Sequence, residues 1–540
     1  MEKRAILAAV LSMIVLLGYQ YLFLRPRMEA ERAAQEKLAE AKKEAPQPEE
    51  LKKEPPAPKR EETRLIAPAP VSRPLIGGED ITIDTGVARI VLTTRGAAIK
   101  QVYLLRHEDS SGEPVKLVVT DKEKAPGILP LQFRWGNSFA QMANEGFYQA
   151  SQNTLTLRPE APRGEITLTL KPNGDRFIRK TLSFEYGSYG VDVRLEWSRE
   201  AAPEGLSVLW GPGVGGEGAG KSSYAHVGPV TLLGSKRVED NSEEVRAVRH
   251  RGDLKWTSLH SRYFMAALIP RDFVDGALVE KTPDGVAVGL EFPGTKGGAT
   301  FSLYAGPKEH SRLKAYGSSL EQAIDFGWFG FVAKPLLLAL NFLYGLTSNY
   351  GWAIIILTVF IKVIFYPLTH KSTKSMQEMS KLQPKMKGLR EIYKGDKQRL
   401  NEEMMKLYKE HKVNPLGGCL PLLLQIPVFF ALYRVLLDSI ELRHASFLWV
   451  KDLSAPEATL IPVFVILMGA SMWLQQKMTP SSMDPTQAKM MMFMPILFTF
   501  MFWGFPVGLV IYWLANNLLS IGQQYVMNKW ALAPDRSSKG

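Results

Sequence analysis

The chain has 540 residues, 46% hydrophobic and 22% charged, with a formal net charge of +12, and its mean hydropathy of -0.08 would suit a soluble protein of several domains. One cysteine, Cys419, excludes an internal disulfide framework and a cysteine-based zinc site; eight histidines without an HxxxH or HExxH pair disfavour a metal hydrolase, and no cofactor is implied. Apolar runs of near-bilayer length cluster after residue 330, so the basic excess reads as a topology signal and not as nucleic-acid readout.

Residues 1–27 open with Ala5 to Leu24, twenty uncharged residues, about 30 Å as a helix and enough to span the hydrocarbon core. Arg25-Pro26-Arg27 follows where a cleavage site would need small residues, which predicts a retained signal anchor. Lys3 and Arg4 favour a cytoplasmic amino terminus, whereas Arg25 and Arg27 argue the other way. Residues 28–77 turn from Ala/Glu/Lys/Arg to proline-rich sequence, too polar to bury a core, and read as a tether.

Residues 78–325 carry short β-branched, alternating runs between Gly, Pro, Asn and Asp signals, among them ITIDTGVARIVLTT, EITLTLK, YGVDVRLEW and ATFSLY. This pattern predicts one large antiparallel β-sandwich. Gly215 to Ser222 reads GGEGAGKS and matches the phosphate-loop pattern. A phosphate cradle needs a helix starting at Lys221, yet Gly228 and Pro229 follow with a strand-like run, so a flexible loop is the expectation. His107, His226, His250 and His260 fall in this domain, and no catalytic residue is assigned to it.

Residues 326–348 are apolar but contain Lys334-Pro335, with Trp328, Phe329 and Phe331 suited to the headgroup boundary. They predict an interfacial helix, the alternative being another span. Residues 349–530 supply five spans: 350–368, 415–437, 460–474, 490–503 and 507–526. The loop 371–412 has ten Lys and two Arg against six acids and should be cytoplasmic, whereas the loop after the third span is net -2 and should lie outside. The membrane class is therefore α-helical with six transmembrane helices, both termini cytoplasmic and residues 25–349 outside.

Lys362 stands in ILTVFIKVIFYPL, six residues from the cytoplasmic end of its span. Its charge in lipid would cost at least about 2.5 kcal/mol. No Asp or Glu occupies the middle of any span, so water and neutral polar groups must solvate it, unless it snorkels to the cytosol. Thr358, Gln425, Asn516, Asn517 and Gln523 lie at comparable depth and could line a polar cavity; each amide could equally make an ordinary interhelical hydrogen bond. The absence of intramembrane carboxylates argues against a proton-coupled carrier. The fourth and fifth spans have 15 and 14 residues, short enough to favour local thinning of the bilayer unless neighbouring polar residues extend them. Pro427, Pro462 and Pro495 suggest kinks.

The cytoplasmic hairpin 371–413 shows two amphipathic helices around Gly395-Asp396, with Pro384 restarting the first. Met376, Met379, Met386 and Met404 could contact varied apolar segments, although core filling is the commoner use of methionine. Its lysines suit anionic lipid headgroups.

The segments FYPLTHKSTKSMQEMSKLQPKM, NPLGGCLPLLLQIPVFFALY, LWVKDLS, QKMTPSSMDPTQAKMMMFMPILFTFMF and FPVGLVIYWLANNLLSIGQQ closely resemble the YidC family of membrane protein insertases over residues 350–527. The preceding anchor, tether and β domain look like the Gram-negative arrangement, whose periplasmic domain resembles sugar-mutarotase sandwiches without that activity. The resemblance implies a non-enzymatic inner-membrane insertase and chaperone with a five-helix core around a hydrophilic groove, open to cytosol and lipid and closed outside. Lys362 takes the place of a functional arginine, and Thr358 and Trp513 match groove positions. Ile426, Phe429 and Met501 match an apolar exit path for the substrate helix. Implied partners are nascent membrane proteins, the SecYEG translocon and ribosomes; the tail 531–540 is less basic than ribosome-binding tails, which leaves direct docking there unsupported. Competing readings are a solute transporter with a periplasmic receptor domain and a membrane-anchored sugar-modifying enzyme.

Overall fold

The computed structural model describes residues 77–119, 128–134, 138–171, 176–198, 206–216, 226–293, 297–411, 413, 420–478 and 485–531. The expected amino-terminal span, nearly all of the tether, residues 217–222 of the GGEGAGKS motif and the tail from 532 lie outside these residues.

Residues 80–307 build three sheets. The largest has nine strands in the order 236–239, 228–233, 254–260, 264–270, 298–307, 190–197, 178–185, 163–170 and 149–150. A five-stranded sheet runs 114–116, 98–108, 88–93, 80–84 and 154–156, and a four-stranded sheet runs 206–210, 285–292, 276–282 and 247–250. All strand pairs are antiparallel except 80–84 with 154–156, a departure from the wholly antiparallel expectation. One contiguous apolar core joins the three sheets, so this is a single domain.

Local sequence explains which strands were legible. Ile178–Glu185 alternates buried and more exposed residues, the signature of a half-solvated sheet face. Phe264–Pro270, inside the nine-stranded sheet, is buried on both faces almost throughout. Its unbroken FMAALI run therefore carries no period-two signal. The fully buried Lys180 bridges two sheets: its ammonium donates to the carbonyls of Gly96, Ala97 and Leu131 at 2.8, 3.2 and 2.7 Å. Burial lowers its pKa to about 7.

Two helices belong to this domain, α1 (Ser138–Glu145) and α2 (His310–Tyr316). Eight follow: α3 (Gly330–Thr347), α4 (Tyr350–Lys381), α5 (Gln383–Ile392), α6 (Lys397–Glu410), α7 (Leu420–Asp438), α8 (Val463–Met478), α9 (Pro485–Phe502) and α10 (Val507–Ala531). Among the described residues, Gly327–Thr347 and Tyr350–Lys381 are long and apolar enough to cross a membrane by length and composition. α3 buries Ala333, Leu337, Leu340 and Leu343, a stripe at helical spacing, in the same apolar cluster as α4 and α7. Pro335 lies inside α3 and not in its first turn, because a short 3-10 turn at Gly327–Phe329 precedes it. Ser348 in the left-handed region ends α3, and Asn349 caps α4 through its side-chain oxygen, which accepts from the amides of Gly351 and Trp352.

Several expected boundaries move. The two short spans fold as helices of 16 and 18 residues, about 24 and 27 Å long, because Gln475 to Lys477 and Thr486 to Lys489 extend them. Pro462 does not kink α8 but precedes it, its carbonyl accepting from the Ile466 amide at 3.1 Å. Pro427 and Pro495 do lie inside helices. α4 runs on past Leu368 to Lys381 as one helix, and Pro384 restarts the chain at the beginning of α5, as its missing N–H allows. Asp396 caps α6 by accepting from the Arg399 amide at 3.0 Å.

Candidate functional site

The helical core presents one polar stripe. Trp513, Asn516, Ser520 and Gln523 recur at helical spacing along one side of α10. Lys362, twelve residues or about 18 Å into α4, is part-buried and donates from Nζ to Ser520 Oγ at 2.7 Å. Ser520 Oγ donates in turn to the Asn516 carbonyl at 2.8 Å. Toward the end of α4 that enters the basic hairpin, Gln523 Nε2 donates to Thr369 Oγ1 at 3.0 Å. Among the described residues no carboxylate lies within ion-pair distance of Lys362. The neutral Ser520 hydroxyl, itself bonded to the Asn516 carbonyl, answers its charge, while Val363 and Ile364 beside it are exposed on the outer surface of the helix.

The remaining polar candidates sort differently. Thr358 is buried one turn from Lys362 on α4, and its hydroxyl donates to the Ile354 carbonyl of its own helix at 2.7 Å. Asn517 faces α8, donating to Ser471 Oγ at 3.0 Å, and Gln425 of α7 donates to the Tyr512 hydroxyl. These two amides act as interhelical fasteners. The structure thus assembles Lys362, Asn516 and Gln523 on one seam, engages the Thr358 hydroxyl with its own helix, and turns the Gln425 and Asn517 amides to neighbouring helices. Ser520 and Thr369 escaped the sequence reading, although Ser520 lies four residues from Asn516 and three from Gln523, a spacing that could have found it.

Trp513 closes the seam's inner end against aromatic rings: Phe429 at 5.0 Å edge-on, Phe502 at 5.2 Å and Phe498 at 6.2 Å. Ile426, one turn from Phe429, is 38% exposed and Met501 49% exposed, so both present apolar surface outward. In the hairpin, Met379 and Met386 are buried with Leu382, Leu407 and Val413, and Met404 packs against them. These methionines fill the hairpin's own core, which leaves them little surface for a substrate; Met376 is part-exposed. The exposed apolar residues there are Ile392 and Met405.

On the side of the β domain the helices are tied shut. The loop LWVKDLS pairs Phe447 with Val450, the Gly508 amide donates to the Leu453 carbonyl at 2.9 Å, and the Val507 amide donates to the Ala455 carbonyl at 3.0 Å. Glu457 bridges this loop to α8: one carboxylate oxygen accepts from Trp449 Nε1 at 2.8 Å and the other from the Phe464 amide at 2.9 Å. Arg262 of the β domain donates to the Leu437 carbonyl at the end of α7 at 2.9 Å, and Arg443 donates to the Glu108 carbonyl at 2.5 Å.

In the β domain, His250 stands 2.8 Å from Asp240 and His226 stands 3.4 Å from Glu239, pairings not readable from sequence. His260 is buried against Ser258, and burial holds its pKa well below the usual imidazole range. His107 packs edge-on to Phe264, and burial lowers its pKa to about 4. After the Gly-rich motif, Gly228–Leu233 is a strand. No group of three or more potential metal ligands gathers among the described residues.

The family model for the 60Kd inner membrane protein matches residues 342–534, and that for the YidC periplasmic domain matches residues 80–339. The membrane protein insertase YidC of Syntrophus aciditrophicus is 41% identical over 556 aligned residues, covering 98% of this chain and 100% of that protein. The chain belongs to the YidC family. The YidC of Geotalea daltonii is 39% identical, covering 98% of this chain and 99% of its own length. A solved structure described as an active YidC insertase with its first transmembrane domain resolved shares 22% identity at a TM-score of 0.37, covering 85% of this chain and 94% of that one. Membership of the YidC family makes this a bacterial inner-membrane protein whose β-rich domain is periplasmic, and it does not favour the transporter reading.

Proposed function

We propose that this chain is an insertase and chaperone that moves nascent inner-membrane proteins into the bilayer without nucleotide hydrolysis. The observation that carries the reading is Lys362, a cation held by Ser520 with no carboxylate beside it among the described residues, beneath a loop that ties the helices together on the periplasmic side. A fixed positive charge solvated by neutral groups attracts the polar or acidic flank of an incoming segment without trapping it. The segment's apolar part then leaves along Ile426, Phe429 and Met501, and transfer of its side chains into lipid supplies the driving force.

In this reading the protein has six spans with both termini cytoplasmic, and α3 lies at the outer interface, its exposed Trp328 and Phe331 among headgroups. The hairpin's lysines rest on anionic lipid, and Ile392 and Met405, in place of the buried methionines, offer the first apolar surface to a chain leaving the ribosome. SecYEG is a partner in this reading, as the family resemblance implies.

Photo-crosslinking in reconstituted vesicles tests the reading. With a crosslinker at position 426, 501 or 516 and a single-span nascent chain, adducts should form at all three positions without added nucleotide. Integration of the substrate with no adduct at any of them would place its route elsewhere.

A further inference from the structure

A polar cavity of about 140 Å³ lies where the β domain meets the helices. Its cationic wall includes Lys308, Arg237 and Arg434, and its acidic wall Glu239, Asp325 and Asp438. Lys308 comes from the end of the last long strand, Arg434 and Asp438 from the last turn of α7, and Asp325 from the segment leading to α3. Mixed charge at a domain junction is ordinarily consumed in ion pairs, and part of it is here: Arg237 donates through Nη1 to Glu239, which also faces His226 at 3.4 Å, Arg434 and Asp438 are 3.7 Å apart, and Arg237 and Asp325 3.8 Å.

Other groups in the wall are left over. Lys308 is 8% exposed, yet its ammonium makes no hydrogen bond among the described residues. Asp438 Oδ1 and Arg237 Nε are buried without hydrogen-bond partners. Buried polar groups are ordinarily hydrogen-bonded, so the arrangement fits a ligand that both accepts and donates. A second, narrow cleft shares Lys308, Ile324, Arg434 and Asp438 with the cavity and continues between Phe326, Leu337 and Val435. The cleft has room for about one water, so the chamber is sized for a polar headgroup and the cleft marks only its apolar edge. The exposed Trp328 and Phe331 at the start of α3 put it at headgroup level.

We propose that this junction seats the zwitterionic headgroup of an outer-leaflet phospholipid, its phosphate against Lys308 and the Nε edge of Arg237 and its ammonium against Asp438. The proposal rests on the membrane placement given above. It gives the β domain a lipid-dependent hold on the periplasmic end of α7.

Native mass spectrometry of the full-length protein in mild detergent tests this with phosphatidylethanolamine, phosphatidylglycerol and soluble O-phosphoethanolamine as probes. Phosphatidylethanolamine should be retained at about tenfold lower concentration than phosphatidylglycerol. Lys308→Met and Asp438→Asn should each abolish that preference, whereas Lys308→Arg should keep it, which guards against simple misfolding. Equal retention of both lipids, equal binding of O-phosphoethanolamine, or an unchanged preference in Lys308→Met would each overturn the proposal. Substrate insertion by the same preparations reads the proposed function separately: lost insertion with lipid preference intact counts against that function alone.

Discussion

Lys362 and Ser520 meet across the seam between α4 and α10, ammonium to hydroxyl at 2.7 Å, and among the described residues no carboxylate shares the contact. Ser520→Ala removes the one side-chain acceptor while keeping the charge. Insertion by this variant should fall by about two- to fivefold, the scale of a hydrogen bond to a charged group partly replaced by water. Thr369→Val, which breaks only the Gln523 contact, should have a smaller effect. Initial rates of proteoliposome insertion check both, and equal losses would remove any special role for the Ser520 contact.

Glu457 joins Trp449 to the first turn of α8. Glu457→Ala strands two donors in a largely buried place and should destabilise the core by about 2–3 kcal/mol. Glu457→Gln keeps one acceptor and should lose less. Hydrogen exchange at the Phe464 amide should accelerate markedly in the alanine variant; protection equal to that of the native protein would show that the bridge contributes nothing.

Gly351 sits where a methyl group would run into the ring of buried Phe447. Gly351→Ala should cost about 1–3 kcal/mol through overpacking where α4 meets the periplasmic loop. A second substitution, Phe447→Leu, should recover part of the loss in thermal melts; no recovery would mean that the cost arises elsewhere.

How much was legible in the sequence follows from which signals are local. The β domain was readable where one sheet face meets solvent, as at Ile178–Glu185, and unreadable at Phe264–Pro270, where burial on both sides erases alternation. Lys362 announced itself because a charge inside an apolar run is costly. Its partner did not, since a lone serine in a helix costs little and gains meaning only from what faces it. Asn517 was grouped with Lys362 by depth, but helix rotation turns it toward α8; Thr358, one turn from Lys362 on the same helix, gives its hydroxyl proton to its own backbone. The hairpin methionines went the same way: periodicity marked an apolar face, and the fold turned that face inward.

Lys180 makes the periplasmic domain's stability depend on pH. Burial lowers its folded pKa to about 7, against 10.5 for a free lysine. Between those values the unfolded chain binds more protons than the folded one, so the contribution of this group to stability rises with pH, by up to about 1 kcal/mol per unit, and the penalty is complete below the folded value. Denaturant melts followed through buried Trp210 and Trp256 should show native stability gaining on Lys180→Met between pH 7 and 10. Parallel pH profiles for the two proteins would show that Lys180 keeps its proton in the folded state.

The most direct test is the rate at which vesicles containing Lys362→Arg, Lys362→Ala and Lys362→Glu insert a small single-span substrate with an acidic flank, without nucleotide. Arginine should insert at close to the native rate, alanine should lose at least about tenfold, equivalent to 1.4 kcal/mol, and glutamate should be inactive with its folded helices intact. Equal rates for all three would contradict the account, because a seam that works with either sign of charge does not recruit its substrate through a cation.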